Sequence, residues 1–337
     1  MSPRIEPHPF GFEVLPTGGP DGQPAFVARF PVSFEDVGGP ARRLLFSRYA
    51  WWMGRNRDLV LWLVREPLRA ALAAGTDGLV MASSSIDVVD DAGWLDVVEA
   101  RAWGVSGADA ADAPLAYKYA WSRVEPSGEP VPLATGVLSA RWVHLTSGRA
   151  EPAAAPSFLR SAFHGATRPA ENPTPVHRGR ELFRAAPGPR VRPVFWERSV
   201  SPLGTGDFVG NVYYANYYSW QGAVLGEFLQ AATAGSVALR PTDRIGEPLC
   251  THASVSHLRE ASPFEAVIVT VALRALYECG ADLHFEYFRA GADGQREKLA
   301  YGEHRFVWCE RGEAAPQPTP VPATIARAIA TPCGRGS

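Results

Sequence analysis

The sequence predicts two related α+β domains fused in tandem, each with one long helix wrapped by an antiparallel sheet. The chain has 337 residues, which is enough for two hydrophobic cores of ordinary size. A pattern in its first half returns in its second half at a fixed separation. Each half also reads as one apolar helix followed by several alternating strands, and a helix covered by an antiparallel sheet buries both kinds of element.

The internal repeat begins with a Tyr-x-x-Trp-x-Gly pattern. It starts at Tyr49 in the first half and at Tyr217 in the second, a separation of 168 residues (217 minus 49). The strand-like segments LAYKYAW and LHFEYFR, which start at Leu115 and Leu283, keep the same separation. Further on, the segments LATGVLSARW and LAYGEHRFVW are 166 residues apart, which requires only a small deletion. Such a repeat predicts two copies of one structural unit.

The helices of the two halves are predicted at Tyr49–Leu72 and Tyr217–Ala232. Both segments are apolar nearly all round, which indicates two long, buried, central helices. Alternating apolar and polar residues predict the strands. These are Leu79–Val89, Leu95–Trp103, Leu115–Arg123 and Thr135–Leu145 in the first half, and His252–Leu258, Glu265–Leu276, Leu283–Arg289 and Ala300–Cys309 in the second.

Composition divides the chain into four parts. Residues 1–148 are predicted as an N-terminal domain and residues 194–312 as a C-terminal domain. Between them, residues 149–193 are rich in Pro and Ala and read as a linker with a short helical segment near Phe158–Phe163. Residues 313–337 form a Pro-rich tail.

Charge and composition exclude several classes of function. The net charge of -2 provides no positive field for nucleic acid or anionic lipid. No stretch approaches the roughly 20 apolar residues that a membrane span needs, and the N-terminus does not resemble a secretion signal, so a cytoplasmic protein is expected. The four cysteines are scattered without metal-site spacing, and no nucleotide-binding fingerprint is present. We therefore expect no metal and no cofactor.

The segment GDFVGNVYYANYYSWQG, Gly206–Gly222, is the most informative in the chain. It resembles the loop and helix start of hotdog-fold thioesterases, in particular the enediyne-polyketide thioesterases, over about 16 residues. It also resembles the pattern of 4-hydroxybenzoyl-CoA thioesterases, which place a carboxylate where this chain has Asp207. Together with the repeat, the resemblance implies a tandem (double) hotdog that is a monomeric pseudo-dimer or a homodimer.

A helix start that follows a carboxylate suits thioester chemistry. The unpaired N–H groups and the partial positive charge of a helix N-terminus can polarise a thioester carbonyl, and Asp207 can activate a water or attack the carbonyl itself. By resemblance, the oxyanion donor is a backbone N–H near Tyr214. Asp207 and Tyr217 are therefore candidate catalytic residues. The candidate substrate-binding residues of this segment are Gly210, Asn211, Tyr213, Tyr214, Asn216 and Gln221. Alternatively, Asp207 only caps the turn beside its glycines.

Helix charges differ between the halves. The enediyne enzymes read R-C-R-E after Trp-Gln-Gly, whereas this chain reads Ala-Val-Leu-Gly and ends that run at Gly226. In the first half, Arg55-Asn56-Arg57-Asp58 fits the charged run. Transferred by resemblance, Arg57 becomes a third catalytic candidate and Arg55 a substrate-binding candidate, with Arg55 equally well explained as a solvated helix edge. The resemblance implies one working site per chain, built from Asp207 and Arg57.

Two functions remain open. The first is an enzyme that acts on an acyl group carried by CoA or by an acyl carrier protein, by hydrolysis in polyketide or other specialised metabolism, by transfer or by decarboxylation. The second is a non-catalytic acyl-binding protein, which the missing helix acid at Gly226 favours. Dehydration is a minor alternative. The run that starts at His144 approaches the H-x-x-x-G-x-x-x-x-P pattern of polyketide dehydratases but places Pro152 one position early and lies at the end of a late strand. His257, His284 and His304 have no partner carboxylate at a recognisable spacing.

Overall fold

The computed structural model describes ten segments of the chain: residues 12–15, 24–38, 43–105, 114–146, 149–162, 196–200, 211–232, 246–291, 294–310 and 316–330. The chain forms two compact units. Unit 1 comprises Met1–Asp36 and Arg48–Pro175, and unit 2 comprises Val37–Ser47 and Val176–Ser337. The domain bounds inferred from composition stay a prediction.

Strands dominate the described part of the chain. In chain order the elements are β1 Phe12–Leu15, β2 Ala25–Pro31, β3 Val37–Gly38, β4 Arg43–Leu44, α1 Phe46–Trp62, α2 Arg65–Leu72, β5 Asp77–Val88, β6 Val97–Val105, β7 Leu115–Val124, β8 Pro130–Thr146, β9 Arg149–Pro152, α3 Ser157–Ala162, β10 Trp196–Val200, α4 Ala215–Ala232, β11 Glu247–His257, β12 Val267–Tyr277, β13 Gly280–Ala290, β14 Arg296–Glu310, β15 Gln317–Pro318 and α5 Ala323–Ala330. The eight strands predicted from alternation are all present.

Unit 1 contains an antiparallel sheet in the order β1-β2-β6-β7-β8-β5, with β9 paired to β8. Helix α1 packs against the inward face of β7. The ring of Tyr49 meets the ring of Trp121 edge-on with centroids 5.1 Å apart, and the hydroxyl of Tyr119 donates to the carbonyl of Met53 at 3.2 Å. These contacts place an aromatic core between the helix and the sheet.

Unit 2 contains an antiparallel sheet in the order β10-β12-β13-β14-β11, with β15 paired to β14. Helix α4 packs on β13 as α1 packs on β7. The rings of Tyr217 and Tyr287 lie 4.9 Å apart, and the hydroxyl of Tyr287 donates to the carbonyl of Tyr217 at 3.1 Å. The strand order of unit 2 matches the run β2-β6-β7-β8-β5 of unit 1, so the sequence repeat is also a repeat of topology.

The repeat extends to irregular backbone. One strand of each unit carries a bulge at a fully buried leucine, Leu133 in β8 and Leu299 in β14. Each bulged carbonyl accepts two backbone N–H groups of the opposite loop. The turns before the equivalent strands β6 and β12 each hold an exposed residue with a positive φ, 73° at Leu95 and 70° at Phe264. Equivalent bulges and turns are expected when two segments share one ancestral fold pattern.

The single helix predicted at Tyr49–Leu72 is wrong in one respect, because it is two helices. Helix α1 ends at Trp62 and α2 begins at Arg65. The backbone tightens between them, since the N–H groups of Leu63 and Val64 donate to carbonyls only three residues earlier. Pro67 explains the break: it has no N–H, and its ring would clash with the carbonyl of Leu63 in a continuous helix.

The Pro-rich tail contains a helix that its composition does not predict. Helix α5 buries Ile325 and Ile329 and packs against α4 and β12 within unit 2. The segment leading to it is held by two backbone bonds, from Thr319 N–H to the Trp308 carbonyl and from Val321 N–H to the Glu278 carbonyl. Among the described residues, no helix is long and apolar enough to span a membrane.

Candidate active site

The start of helix α4 is fixed to the strand that follows it. The backbone N–H of Val212 donates to the carbonyl of Ala261 at 2.8 Å, which joins the segment before the helix to the loop after β11. The first helical turn is tight, since the N–H groups of Asn216 and Tyr217 donate to the carbonyls of Tyr213 and Tyr214. The result is a rigid helix start beside a loop that carries polar side chains.

A buried amide and a carboxylate meet at this helix start. Asn211 is 6% exposed, and its Nδ2 donates to Glu260 Oε2 at 2.5 Å. Its Oδ1 is buried and has no hydrogen-bond partner among the residues that the structure describes. Because Glu260 can only accept from the NH₂ group, the contact fixes the orientation of the amide, and Oδ1 is left as an acceptor.

The third polar group is the hydroxyl of Tyr217. The residue is 1% exposed. Burial raises the pKa of this phenol well above its usual value, and the carboxylates of Glu260 and Glu265 raise it further, whereas the backbone amide of Ala261 lowers it. Tyr217 is therefore a neutral phenol at physiological pH and can act as a hydrogen-bond donor, not as a base.

His257, the last residue of β11, is the fourth polar group. Its ring meets the ring of Tyr217 edge-on with centroids 4.7 Å apart. Both ring nitrogens are buried and lack a hydrogen-bond partner within the described part of the chain. Burial lowers the pKa of His257 to about 4, so the imidazole is neutral at physiological pH.

The architecture around this site is similar to that of solved acyl-ACP thioesterases over most of the chain. The 12:0-ACP thioesterase from Umbellularia californica matches with a TM-score of 0.55 and 12% sequence identity, over 85% of this chain and 98% of that chain. An acyl-ACP thioesterase from Bacteroides thetaiotaomicron matches with a TM-score of 0.51 and 12% identity, over 84% of this chain and 97% of that chain. The chain has the hotdog fold.

Other structural matches cover a smaller part of this chain. The dynemicin thioesterase matches 41% of this chain and 95% of its own length with 28% identity and a TM-score of 0.36. Neither a scan against protein-family models nor a search of curated proteins gave a match. The resemblance to hotdog-fold thioesterases that the Gly206–Gly222 motif indicated is confirmed at the level of the fold by the two full-length matches.

The described residues of the motif lie together along the start of α4. Tyr214 and Tyr217 are buried, whereas Tyr213 and Asn216 are half-buried, and the rings of Tyr213 and Tyr214 are 5.1 Å apart. Gln221 is fully buried one turn further on, where its Nε2 donates to the carbonyl of Ser254 at 3.0 Å. Asp207 and Gly210 lie outside the described residues. The roles of all these residues stay predictions.

The first-half candidates lie on α1 in unit 1. Arg57 is 2% exposed, and its guanidinium binds the carboxylate of Asp58 at 2.6 Å and the sulfur of Met81 at 3.4 Å. Arg55 is exposed and lies over the ring of Phe30, 6.0 Å from its centroid. The stacked position of Arg55 agrees with the alternative of a helix-edge residue.

Sequence reasoning missed two members of the cluster, Glu260 and His257. His257 was set aside because no carboxylate partner stood at a recognisable spacing. Glu260 does not bind His257: its carboxylate accepts from Asn211, which is 49 residues earlier in the chain. The only sequence signal is the pair of polar residues His257 and Glu260 at the end of a predicted strand, in the segment SHLRE. Nothing in the neighbouring sequence indicates that this pair contacts the start of a helix.

Proposed function

We propose that the chain is a double-hotdog enzyme that hydrolyses an acyl thioester carried by CoA or by an acyl carrier protein. The observation that carries the proposal is the contact between the buried Asn211 and the half-buried Glu260 at the start of α4. A buried amide oxygen without a partner among the described residues is unfavourable for stability, so its presence at a helix N-terminus supports a binding or catalytic role. The names of the structural neighbours, which act on acyl-ACP, support the same substrate class.

The proposed chemistry begins at the thioester carbonyl. The partial positive charge at the N-terminus of α4 and a backbone N–H near Tyr214 polarise the carbonyl and stabilise the oxyanion. Asp207 activates a water that attacks the carbonyl carbon, or attacks it directly to form a mixed anhydride that water then cleaves. The C–S bond breaks, the thiol leaves, and the acid is released.

Asn211 has a specific part in this scheme. Because Glu260 holds the NH₂ group, the side-chain oxygen is presented as a hydrogen-bond acceptor in a water-poor setting. An acceptor there can orient the hydrolytic water by accepting a hydrogen bond from one of its O–H groups, while Asp207 takes the proton of the other. Glu260 then acts as a positioning residue, since it works through Asn211.

A non-catalytic acyl-binding protein is the second candidate. It is favoured by Gly226, which stands where the resemblance places the helix acid. A Cβ at Gly226 would meet no atom of the described residues within 4 Å, so among these residues the position has room for a side chain. A protein that kept the fold and lost a catalytic acid would look the same at this position.

Release of free thiol separates the two candidates. The purified full chain is mixed with short, long and aromatic acyl-CoAs and with the same acyl groups on an acyl carrier protein, and thiol is followed with a chromogenic reagent. The proposed hydrolase gives turnover with at least one acyl thioester. Tight binding of acyl thioesters without thiol release would contradict hydrolysis and support the binding protein.

A further inference from the structure

His257 lies on the face of β11 that is turned towards helix α4. Residues alternate between the two faces of a strand, and Ala253 and Val255, which share the face of His257, are fully buried. The ring of His257 meets Tyr217 in the first turn of α4. The imidazole therefore lies within about one helical turn of the proposed thioester site, a distance of roughly 5 Å along the helix axis.

The two nitrogens of His257 are the feature that the proposed mechanism does not use. Both are buried, and neither has a hydrogen-bond partner among the described residues. An imidazole that leaves both nitrogens unpaired loses its hydration without compensation, which is expensive enough that such groups are rare in folded proteins. A polar atom supplied from outside the protein would satisfy them.

The protonation states define the chemistry of that atom. His257 is neutral because burial lowers its pKa to about 4, so it offers one donor and one acceptor. The neutral phenol of Tyr217 offers a donor and an acceptor as well. A group that both donates and accepts complements this pair best, and among the polar groups of acyl chains the hydroxyl has that property.

We infer that His257 and Tyr217 form a polar subsite that binds a hydroxyl group on the acyl chain, a few bonds from the thioester. The inference rests on the proposed function for the identity of the ligand. It assigns His257 a role in specificity: an acyl group without the hydroxyl leaves the imidazole unpaired in the complex, whereas a hydroxyacyl group pairs it.

Binding of stable substrate analogues tests the subsite independently of turnover. The probes are CoA thioethers in which a methylene group separates the sulfur from the carbonyl, carrying hexanoyl, 3-hydroxyhexanoyl, 4-hydroxyhexanoyl or 5-hydroxyhexanoyl groups. Dissociation constants are measured by calorimetry with the full chain. We expect one hydroxylated analogue to bind roughly tenfold more tightly than the hexanoyl analogue.

Three variants assign the preference to its residue. His257→Phe keeps an aromatic ring of similar size and should abolish the preference, whereas His257→Gln, which keeps a donor and an acceptor, should retain part of it. His304→Phe is the matched control, because His304 is a histidine of unit 2 whose Nδ1, like the nitrogens of His257, is buried and has no hydrogen-bond partner among the described residues. If His257→Phe does not fold, loss of the preference in Tyr217→Phe serves the same purpose.

The outcomes separate this inference from the proposed function. A hydroxyl preference without thiol release from any thioester would leave the subsite standing and overturn hydrolysis. Equal binding of all four analogues, or a preference that survives in His257→Phe, would overturn the subsite even if the chain hydrolyses acyl thioesters. A variant that weakens all analogues equally would show that His257 is only structural. Absence of binding of all four CoA analogues by a chain that also releases no thiol from any acyl-CoA or acyl carrier protein thioester would contradict both proposals.

Discussion

Among the residues that the structure describes, Asn211 has the most direct part in the proposed chemistry, because it orients the attacking water. Replacement with Ala removes the acceptor and frees Glu260, so turnover should fall by roughly 10- to 100-fold with a smaller change in KM, because the lost contact acts on the attacking water. Steady-state kinetics measure both constants. Gln230→Ala, at an exposed position of helix α4, is the control and should behave like the wild type. Equal kinetics in Asn211→Ala would remove this residue from the mechanism.

Arg57 is the predicted catalytic cation, and the structure makes it testable without loss of the fold. Arg57→Met keeps an apolar stem among buried neighbours, but it removes a buried guanidinium whose partner Asp58 is half-exposed, so the free energy of unfolding should fall by about 1–3 kcal/mol. If Arg57 stabilises the oxyanion, kcat falls more than KM rises. Arg65→Ala, a surface residue of unit 1, provides the comparison. A higher KM with unchanged kcat would make Arg57 a binding residue.

Asp36 offers a matched contrast to Asp207. Its carboxylate accepts from the backbone N–H of Ser33 at 2.8 Å and from the Ser33 hydroxyl at 2.5 Å, and it pairs with Arg48 at 3.2 Å. These contacts indicate a structural role in unit 1. Asp36→Ala should therefore lower the free energy of unfolding by about 1–3 kcal/mol and leave the rate of thiol release unchanged. Denaturant unfolding and the activity assay distinguish these outcomes, and loss of activity in the folded variant would indicate a second working site.

Helix α4 and strand β14 contain two glycines with opposite expectations. Gly226→Ala should stabilise unit 2 by up to about 1 kcal/mol, because the site is open and Ala is the better helix former. Gly302→Ala should destabilise it by more than about 2 kcal/mol, because the added Cβ would collide with the carbonyl oxygen of Ser254. Thermal unfolding of both variants measures the difference. The same melting temperature for both would show that the sheet shifts freely at β14.

The glycine of β14 also shows why local sequence predicts strands well here. Gly136 stands 166 residues before Gly302, and a Cβ on it would come within 2.9 Å of the Ser85 carbonyl oxygen and of the Trp121 ring. The LATG and LAYG segments therefore repeat because neighbouring strand and core leave no room for a side chain. By contrast, the break between α1 and α2 depends on Pro67, and a prediction from the spacing of apolar residues alone does not take a proline into account. Helix α5 depends on the burial of Ile325 and Ile329 against distant parts of the chain, although its segment has the composition of a linker.

The acid stability of unit 2 follows from its buried histidines. Burial lowers the pKa of His257 to about 4 and that of His304 to about 3, against an ordinary value of 6.5. In the folded state both pKa values lie below that of the unfolded chain. The free energy of unfolding is therefore highest above pH 6.5, and it decreases as the pH falls towards 4, because protonation favours the unfolded chain. At pH 4.5 each histidine should remove roughly 2–3 kcal/mol. Denaturant unfolding at pH 7 and 4.5 measures the loss, which should be smaller in His304→Phe; an equal loss would contradict the assignment.

Across the whole chain, repeat and alternation predict two units that each combine a helix with antiparallel strands, and the resemblance of the Gly206–Gly222 motif implies the hotdog fold. The candidate site is predicted less completely. Its helix start is visible in a contiguous motif, which identified Asn211 and Tyr217. Glu260 and His257 join it through long-range contacts: the Val212–Ala261 backbone bond, the Asn211–Glu260 bond and the Tyr217–His257 ring contact. No local pattern encodes such contacts.

Hydrolysis that depends on the Asp207 carboxylate is tested by the rate of thiol release from the best acyl thioester, compared between Asp207→Asn and the wild type. The substitution keeps the size of the side chain and removes the carboxylate that activates water or forms the anhydride. We expect kcat of the variant to fall by at least about 100-fold. Its melting temperature and its affinity for an uncleavable analogue should stay unchanged. A folded Asp207→Asn variant that releases thiol at the wild-type rate would contradict thioester cleavage by this residue before α4.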